Sequence, residues 1–74
     1  MGNTEKLKFA EIKHYAALNG LQEAQAQHDR AVEAGESADV LAVLKRNIRE
    51  ASIVLGDEGR ELEFLRWCVA REAS

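Results

Sequence analysis

The chain has 74 residues, a formal net charge of −3 and a single cysteine, Cys68. These counts exclude an intrachain disulfide, a second domain and a general electrostatic attraction to nucleic acid. A chain this short buries only about 60% of its unfolded surface, so its core is thin. The lack of proline and the abundance of Ala, Glu, Leu and Arg predict one all-α domain over residues 1–74.

The hydropathy pattern predicts a cytoplasmic protein without a membrane segment. No apolar run approaches the ~20 residues that a transmembrane helix needs. The N-terminal residues are too polar for the apolar region of a secretory signal peptide. A lone cysteine also suits a reducing compartment.

The first helix is predicted over about residues 4–34, with Asn3 or Thr4 as its N-cap. Apolar and small residues recur every three or four positions and form a stripe along one side of this helix. The stripe consists of Leu7, Ala10, His14, Ala17, Leu21, Ala24, His28 and Ala31. It keeps its phase across Asn19-Gly20, which favours a continuous helix there.

Alanine occupies every second position of this stripe, which lets a partner helix approach closely. We therefore predict a self-association seam formed by Leu7, Ala10, Ala17, Leu21, Ala24 and Ala31. This alanine-rich packing resembles that of the small dimeric helical-hairpin proteins that modulate plasmid RNA. The resemblance concerns packing style, and no functional motif carries over. It adds a helical-hairpin RNA modulator as an intermediate possibility for the function.

The connection between the helices is predicted at Gly35-Glu36-Ser37. Gly35 suits the left-handed position after a helix, and Ser37 suits the N-cap of the next one. A second helix is predicted over about residues 38–72, antiparallel to the first because the connection is short. Its stripe consists of Leu41, Leu44, Ile48, Ala51, Leu55, Glu58, Leu62, Leu65, Val69 and Glu72.

The segment 56–59 contains Gly56 and Gly59, which together cost a helix roughly 2 kcal/mol relative to alanines. The sequence therefore predicts a kink or a break there and leaves two architectures open. A kinked helix gives a two-helix hairpin that dimerises to a four-helix bundle. A break gives a monomeric three-helix bundle.

Four aromatic residues lie outside the two stripes and are candidates for partner binding: Phe64, Trp67, Phe9 and Tyr15. Phe64 and Trp67 are three residues apart, so a hairpin leaves both on a side of the second helix that faces water. Exposed aromatic residues of this kind are typical of interaction hot spots. The alternative is that bending of the helix or a third helix buries them.

The segment from Tyr15 to Gln22 resembles the turn of a helix-turn-helix DNA reader, with alanine four residues before glycine. This resemblance implies a recognition helix from Gln22 that presents Gln25, Gln27, His28 and Arg30. Asn19, Ala26 and Asp29 depart from the apolar residues usual in that motif. The resemblance makes a DNA-binding transcription regulator the alternative function.

No catalytic chemistry is predicted, because the sequence lacks a nucleophile–base pair, a glycine-rich phosphate loop and a metal-ligand cluster. We accordingly expect no enzyme, no cofactor and no metal. His14 and His28 would come together only in an antiparallel pair of first helices, where two imidazoles underfill the four ligand positions of zinc.

The pattern as a whole predicts a small helical protein–protein interaction module that binds a larger protein through apolar helix faces. Inhibitor, adaptor and co-chaperone roles fit this description. In size and layout the chain is similar to the small co-chaperones of type III secretion needle subunits and to phage-encoded modulators of host proteins. The sequence does not identify the partner.

Overall fold

The computed structural model describes residues 2–73 and consists of two α-helices, α1 (Asn3–Glu33) and α2 (Ala38–Ala73). The helices pack against each other as a hairpin with dimensions of 56 × 18 × 13 Å. The predicted all-α hairpin is therefore confirmed, and both pairs of predicted bounds lie within one residue of the observed ones.

The two predicted stripes form the interface between the helices. Every residue of the α1 stripe is buried or half-buried, and so is every residue of the α2 stripe from Leu41 to Val69. Glu72, the last residue of the α2 stripe, is exposed. The stripes stay in contact over the full length because both follow the 3.5-residue repeat of a helix seam.

The best-packed part of the core lies at the end of the hairpin that is remote from the connection. Ala10 is 0% exposed, Leu62 is 5% exposed and Leu65 is 7% exposed, and Leu7 packs against this cluster. The methyl side chain of Ala10 leaves room for the two leucines of α2, as expected from the alternation of large and small residues.

The connection is a Schellman motif followed by a serine cap. Gly35 has a φ of 72°, and the amides of Gly35 and Glu36 donate to the carbonyls of Val32 and Ala31. The hydroxyl of Ser37 then accepts a hydrogen bond of 3.3 Å from the Val40 amide. These bonds satisfy the free backbone groups at the end of α1 and the start of α2, and they hold the helices antiparallel.

The prediction of Asn3 or Thr4 as the N-cap of α1 is wrong. Gly2 is the N-cap residue, and no side chain caps this helix. Asn3 instead lies inside the helix, where its amide donates a hydrogen bond to the carboxylate of Glu72. This hydrogen bond joins the two helices at the open end of the hairpin and does not cap α1.

Neither glycine-containing segment interrupts a helix. The continuous helix predicted through Asn19 and Gly20 is confirmed, and α2 is also continuous through Gly56 and Gly59. The break on which the three-helix alternative depends is therefore absent from the described chain. Dimerisation of the hairpin to a four-helix bundle stays a prediction.

Candidate protein-binding surface

Within residues 2–73, the hairpin exposes ten large apolar side chains and buries two, those of Leu62 and Leu65. A two-helix hairpin has only one internal face, so apolar residues outside the stripes necessarily face water. These exposed residues are Phe9, Ile12, Tyr15, Val32, Val40, Val43, Ile53, Val54, Phe64 and Trp67.

Phe64, Trp67 and Arg71 form an aromatic patch near the end of α2. The rings of Phe64 and Trp67 are stacked, with centroids 6.3 Å apart and an angle of 24° between their planes. The guanidinium carbon of Arg71 lies 5.1 Å from the Trp67 ring centroid, within the range of a cation–π interaction. Phe64 is 62% exposed and Trp67 is 56% exposed. The predicted pair therefore faces water, and the alternative that the core buries it is wrong.

Lys13 links α1 to α2 on one side of the hairpin, which we term the Lys13 side. Its Nζ atom donates to Glu61 at 3.1 Å and lies 3.7 Å from Oε2 of Glu58. The hydrogen bond to Glu61 and the negative charges of both glutamates raise the pKa of Lys13 above its usual value, against a smaller effect of desolvation. The ammonium group also lies 5.3 Å from the centroid of the Phe9 ring. Phe9 is thus held beside a cross-helix ion pair.

Glu58 is the one polar residue of the α2 stripe between Leu41 and Val69. Its Oε2 atom is shielded from water and accepts no hydrogen bond from the described residues. The Lys13 ammonium group at 3.7 Å compensates the charge of this carboxylate, although it is too distant for a hydrogen bond. Lys13 therefore makes a carboxylate tolerable between the helices.

Tyr15 lies on the opposite side of the hairpin, which we term the His14 side. A cleft of about 170 Å³ opens there, and its lining is Glu11, His14, Tyr15, Gly59, Leu62, Glu63 and Arg66. The rings of His14 and Tyr15 meet edge to face, with centroids 6.0 Å apart. The four predicted partner-binding residues therefore do not form one surface: Phe64 and Trp67 are together, whereas Phe9 and Tyr15 lie on opposite sides.

The two histidines lie at different levels of α1 and share no site. His28 is half-buried, and its Nε2 atom has no hydrogen-bond partner among the described residues. Its Nδ1 atom is 3.9 Å from a carboxylate oxygen of Asp29. Within residues 2–73, no group of three or more His, Cys, Asp or Glu side chains is placed to hold a metal ion.

The predicted self-association seam faces α2 of the same chain. Ala10 and Ala31 are buried there, and the other four residues, Leu7, Ala17, Leu21 and Ala24, are half-buried. Their side chains thus already have cover within the hairpin. A role for them in dimerisation stays a prediction.

The segment that resembles a helix-turn-helix is fully helical. Residues 15–22 lie in the middle of α1, so no turn separates a first helix from a recognition helix. Gln25, Gln27 and Arg30 project from the same helix as Tyr15, and all three are exposed. The geometry of a DNA-reading helix pair is absent from this part of the chain.

Two features of the surface are missing from the sequence-based predictions. The first is the Lys13–Glu58 ion pair, which depends on the alignment of the two helices, although a carboxylate in the interior of the α2 stripe signals a need for a cation. The second is the exposed and apolar side chain of Ile53, which lies outside the stripe. Its position could have been identified from the seven-residue spacing alone.

No protein-family model, curated protein or solved structure matches the chain. Neither helix within residues 2–73 has the length and apolarity needed to cross a membrane.

Proposed function

We propose that the protein is a small helical interaction module that binds a larger protein through its exposed apolar helix faces. An inhibitor, an adaptor and a co-chaperone would each work in this way. The observation that carries the proposal is the stacked and exposed pair of Phe64 and Trp67, with the cation of Arg71 over the indole ring.

The aromatic patch has the chemistry of a binding hot spot. Tryptophan and arginine are enriched among the residues whose truncation costs most in protein complexes. Stacking of Trp67 on Phe64 restrains both side chains before a partner arrives, which reduces the rotamer entropy lost on binding. A partner that covers the patch would gain about 25 cal/mol for each Å² of apolar surface removed from water.

The location of the patch also suits a binding role. Phe64 and Trp67 point away from the stripe that contacts α1, so a partner can cover them without opening the hairpin. Leu62 and Leu65, their neighbours along α2, are the buried residues that hold the helix in place. The patch therefore sits on the most firmly packed part of the hairpin, as a rigid binding site requires.

The test is affinity capture from a lysate of the host organism with wild-type protein, Trp67→Ala and Ile53→Ala. Ile53 is the matched control because it is equally exposed on α2 and lies about three turns from Phe64, the nearest residue of the patch. We expect Trp67→Ala to lower recovery of a specific partner at least about tenfold, and we expect Ile53→Ala to leave it unchanged.

Circular dichroism of each variant must accompany the capture experiment. Both substitutions remove exposed side chains, so the helix content and the unfolding midpoint are expected to match the wild type. Recovery of the same partners by Trp67→Ala at wild-type levels would show that the patch is not the binding site. Loss of helix content in Trp67→Ala would show that Trp67 stabilises the hairpin.

A further inference from the structure

The exposed apolar residues of α2 are concentrated on the Lys13 side. Residues at seven-residue intervals from Glu61 and from Phe64 lie on this same side of α2, because the two stripes follow a seven-residue repeat. These positions include three exposed valines, which we term the valine flank: Val40, Val43 and Val54. Phe64 follows on the same side, but it stacks on Trp67 and belongs to the aromatic patch. Phe9 of α1 lies on the same side beside Lys13.

The His14 side of α2 has no large apolar residue. The positions spaced by seven from Gly59 and Glu63 carry small, charged or hydroxyl side chains. They are Ala38, Ala42, Lys45, Arg49, Ser52, Gly56, Gly59, Glu63, Arg66, Ala70 and Ala73. The two sides of one helix thus differ sharply in composition, and only the Lys13 side has the composition of an interface.

The surface area of the hairpin fits the addition of one partner of the same size. The chain exposes 5492 Å². A compact monomer of 8.2 kDa exposes about 4,500 Å², so the hairpin has an excess of about 1,000 Å². One partner buries about 800 Å² in a standard protein interface. Covering one side of the hairpin would bring its exposed area to that of a compact protein.

The charges on the Lys13 side are self-complementary. By the same seven-residue spacing, α1 contributes three basic residues and one acidic residue there: Lys6, Lys13, Arg30 and Glu23. On the same side α2 contributes three acidic residues, Glu50, Asp57 and Glu61, whereas Arg71 lies over Trp67 in the aromatic patch. In a two-fold dimer with α1 of each copy over α2 of the other, the net charges of the facing helices are opposite.

We propose that the valine flank is a self-association surface and that its occupant is a second copy of this chain. The two hairpins pack with their Lys13 sides together and form a four-helix bundle. The aromatic ring of Trp67, which points to the back of α2, stays outside this interface and is left for a different protein.

The first test is sedimentation equilibrium of wild-type protein, Val54→Lys and Ser52→Lys. Both substitutions place lysine at an exposed position near the middle of α2, on the Lys13 side and on the His14 side respectively. We expect the wild type to have twice the chain mass. We expect Val54→Lys to raise the dimer dissociation constant at least about 100-fold, because the interface would bury an unpaired charge, and Ser52→Lys to leave it unchanged.

A monomeric wild type at 100 µM protein would overturn the proposal, and so would equal dimerisation of the two variants. Val54→Lys would lose its helix content if folding requires the dimer, so a second measurement uses the wild type alone. In a dilution series followed by amide NMR shifts, we expect changes at Val40, Val43 and Val54 and none at Arg49 and Ser52. The reverse pattern would place the interface on the His14 side.

The variant Trp67→Ala separates this proposal from the binding of a larger protein. We expect it to keep the wild-type dissociation constant of the dimer, since its side chain lies outside the valine flank. Loss of dimerisation in Trp67→Ala would contradict the assigned surface without bearing on the larger partner. Loss of the larger partner with an intact dimer would support both assignments.

Discussion

A methyl group on Gly59 would lie 4.0 Å from Cδ2 of His14, which is an ordinary van der Waals contact. Gly59 therefore occupies a helical position with room for a side chain, opposite the imidazole that lines the cleft on the His14 side. The glycine weakens α2 without being required by the packing of the hairpin.

We expect Gly59→Ala to stabilise the protein by about 1 kcal/mol, because alanine loses less backbone entropy than glycine in a helix. Urea unfolding followed by circular dichroism, at a fixed protein concentration, measures the change. Gly20→Ala is the matched control, since nothing lies within 4 Å of its added methyl group and a similar gain is expected. Destabilisation by Gly59→Ala alone would mean that His14 cannot accept the contact.

Truncation of a buried leucine should lower the stability of the hairpin more than truncation of its exposed neighbour. We expect Leu65→Ala to destabilise the hairpin by about 2–3 kcal/mol, since Leu65 is 7% exposed and packs in the cluster with Ala10 and Leu62. Phe64→Ala, which truncates the adjacent and exposed side chain, should change the stability by less than about 1 kcal/mol. Thermal unfolding of the two variants measures the difference, and equal losses would contradict the assignment of Phe64 to the surface.

Removal of the α2 cap tests the connection. Ser37→Ala removes the hydroxyl that accepts the Val40 amide, and we expect a loss of about 1 kcal/mol. Ser52→Ala is the control, because Ser52 is exposed in the interior of α2 and alanine has the higher helix propensity. Urea unfolding should therefore shift in opposite directions for the two serines. Identical shifts would show that the Ser37 hydroxyl does not stabilise the start of α2.

The ion pair of Lys13 predicts a stability difference that depends on pH. The pKa of Lys13 is raised in the folded state by its hydrogen bond to Glu61, so the folded protein binds this proton more tightly than the unfolded chain does. The stabilisation is complete below the unfolded pKa of about 10.4 and disappears as the pH rises through the folded value. We expect Lys13→Met to be less stable than the wild type at pH 7 and this difference to shrink above about pH 10.5.

Glu58→Leu provides the control for this measurement, since it removes the shielded carboxylate and completes the apolar stripe. In the Glu58→Leu background, Lys13→Met should cost less stability than in the wild type, because no carboxylate is left without its cation. Equal costs in the two backgrounds would show that Lys13 and Glu58 are not coupled.

The periodicity of the sequence predicted the helix pair because burial of the two stripes is the dominant favourable contribution in so simple a fold. Gly35 and Ser37 predicted the connection for local reasons. Gly35 adopts the left-handed backbone of the turn without strain, and the Ser37 hydroxyl caps α2. The sequence left a kink or a break open at Gly56 and Gly59, and α2 is continuous there. Their combined cost of about 2 kcal/mol is smaller than the several kcal/mol gained by burying Leu62 and Leu65 on the same helix.

The exposure of surface residues was predictable only where it follows from their positions relative to the helix stripes. Phe64 and Trp67 are exposed because they lie off the stripe, which their sequence positions already indicate. The Lys13–Glu58 ion pair and the separation of Phe9 from Tyr15 depend on how α1 and α2 are aligned. That alignment is a tertiary property, and no local propensity specifies it.

The position of the Ala10, Leu62 and Leu65 cluster has a consequence for how the hairpin folds. The fully packed side chains come from opposite ends of the chain and meet at the end remote from Gly35. Pairing next to the turn needs little loop closure, but it buries only Ala31 there. Most of the favourable free energy of burial is gained only when the two ends of the chain have come together. A hairpin in which the helices are paired only near the turn therefore has little stability of its own. Folding of the two helices is therefore a single cooperative event that depends on contacts of high sequence separation.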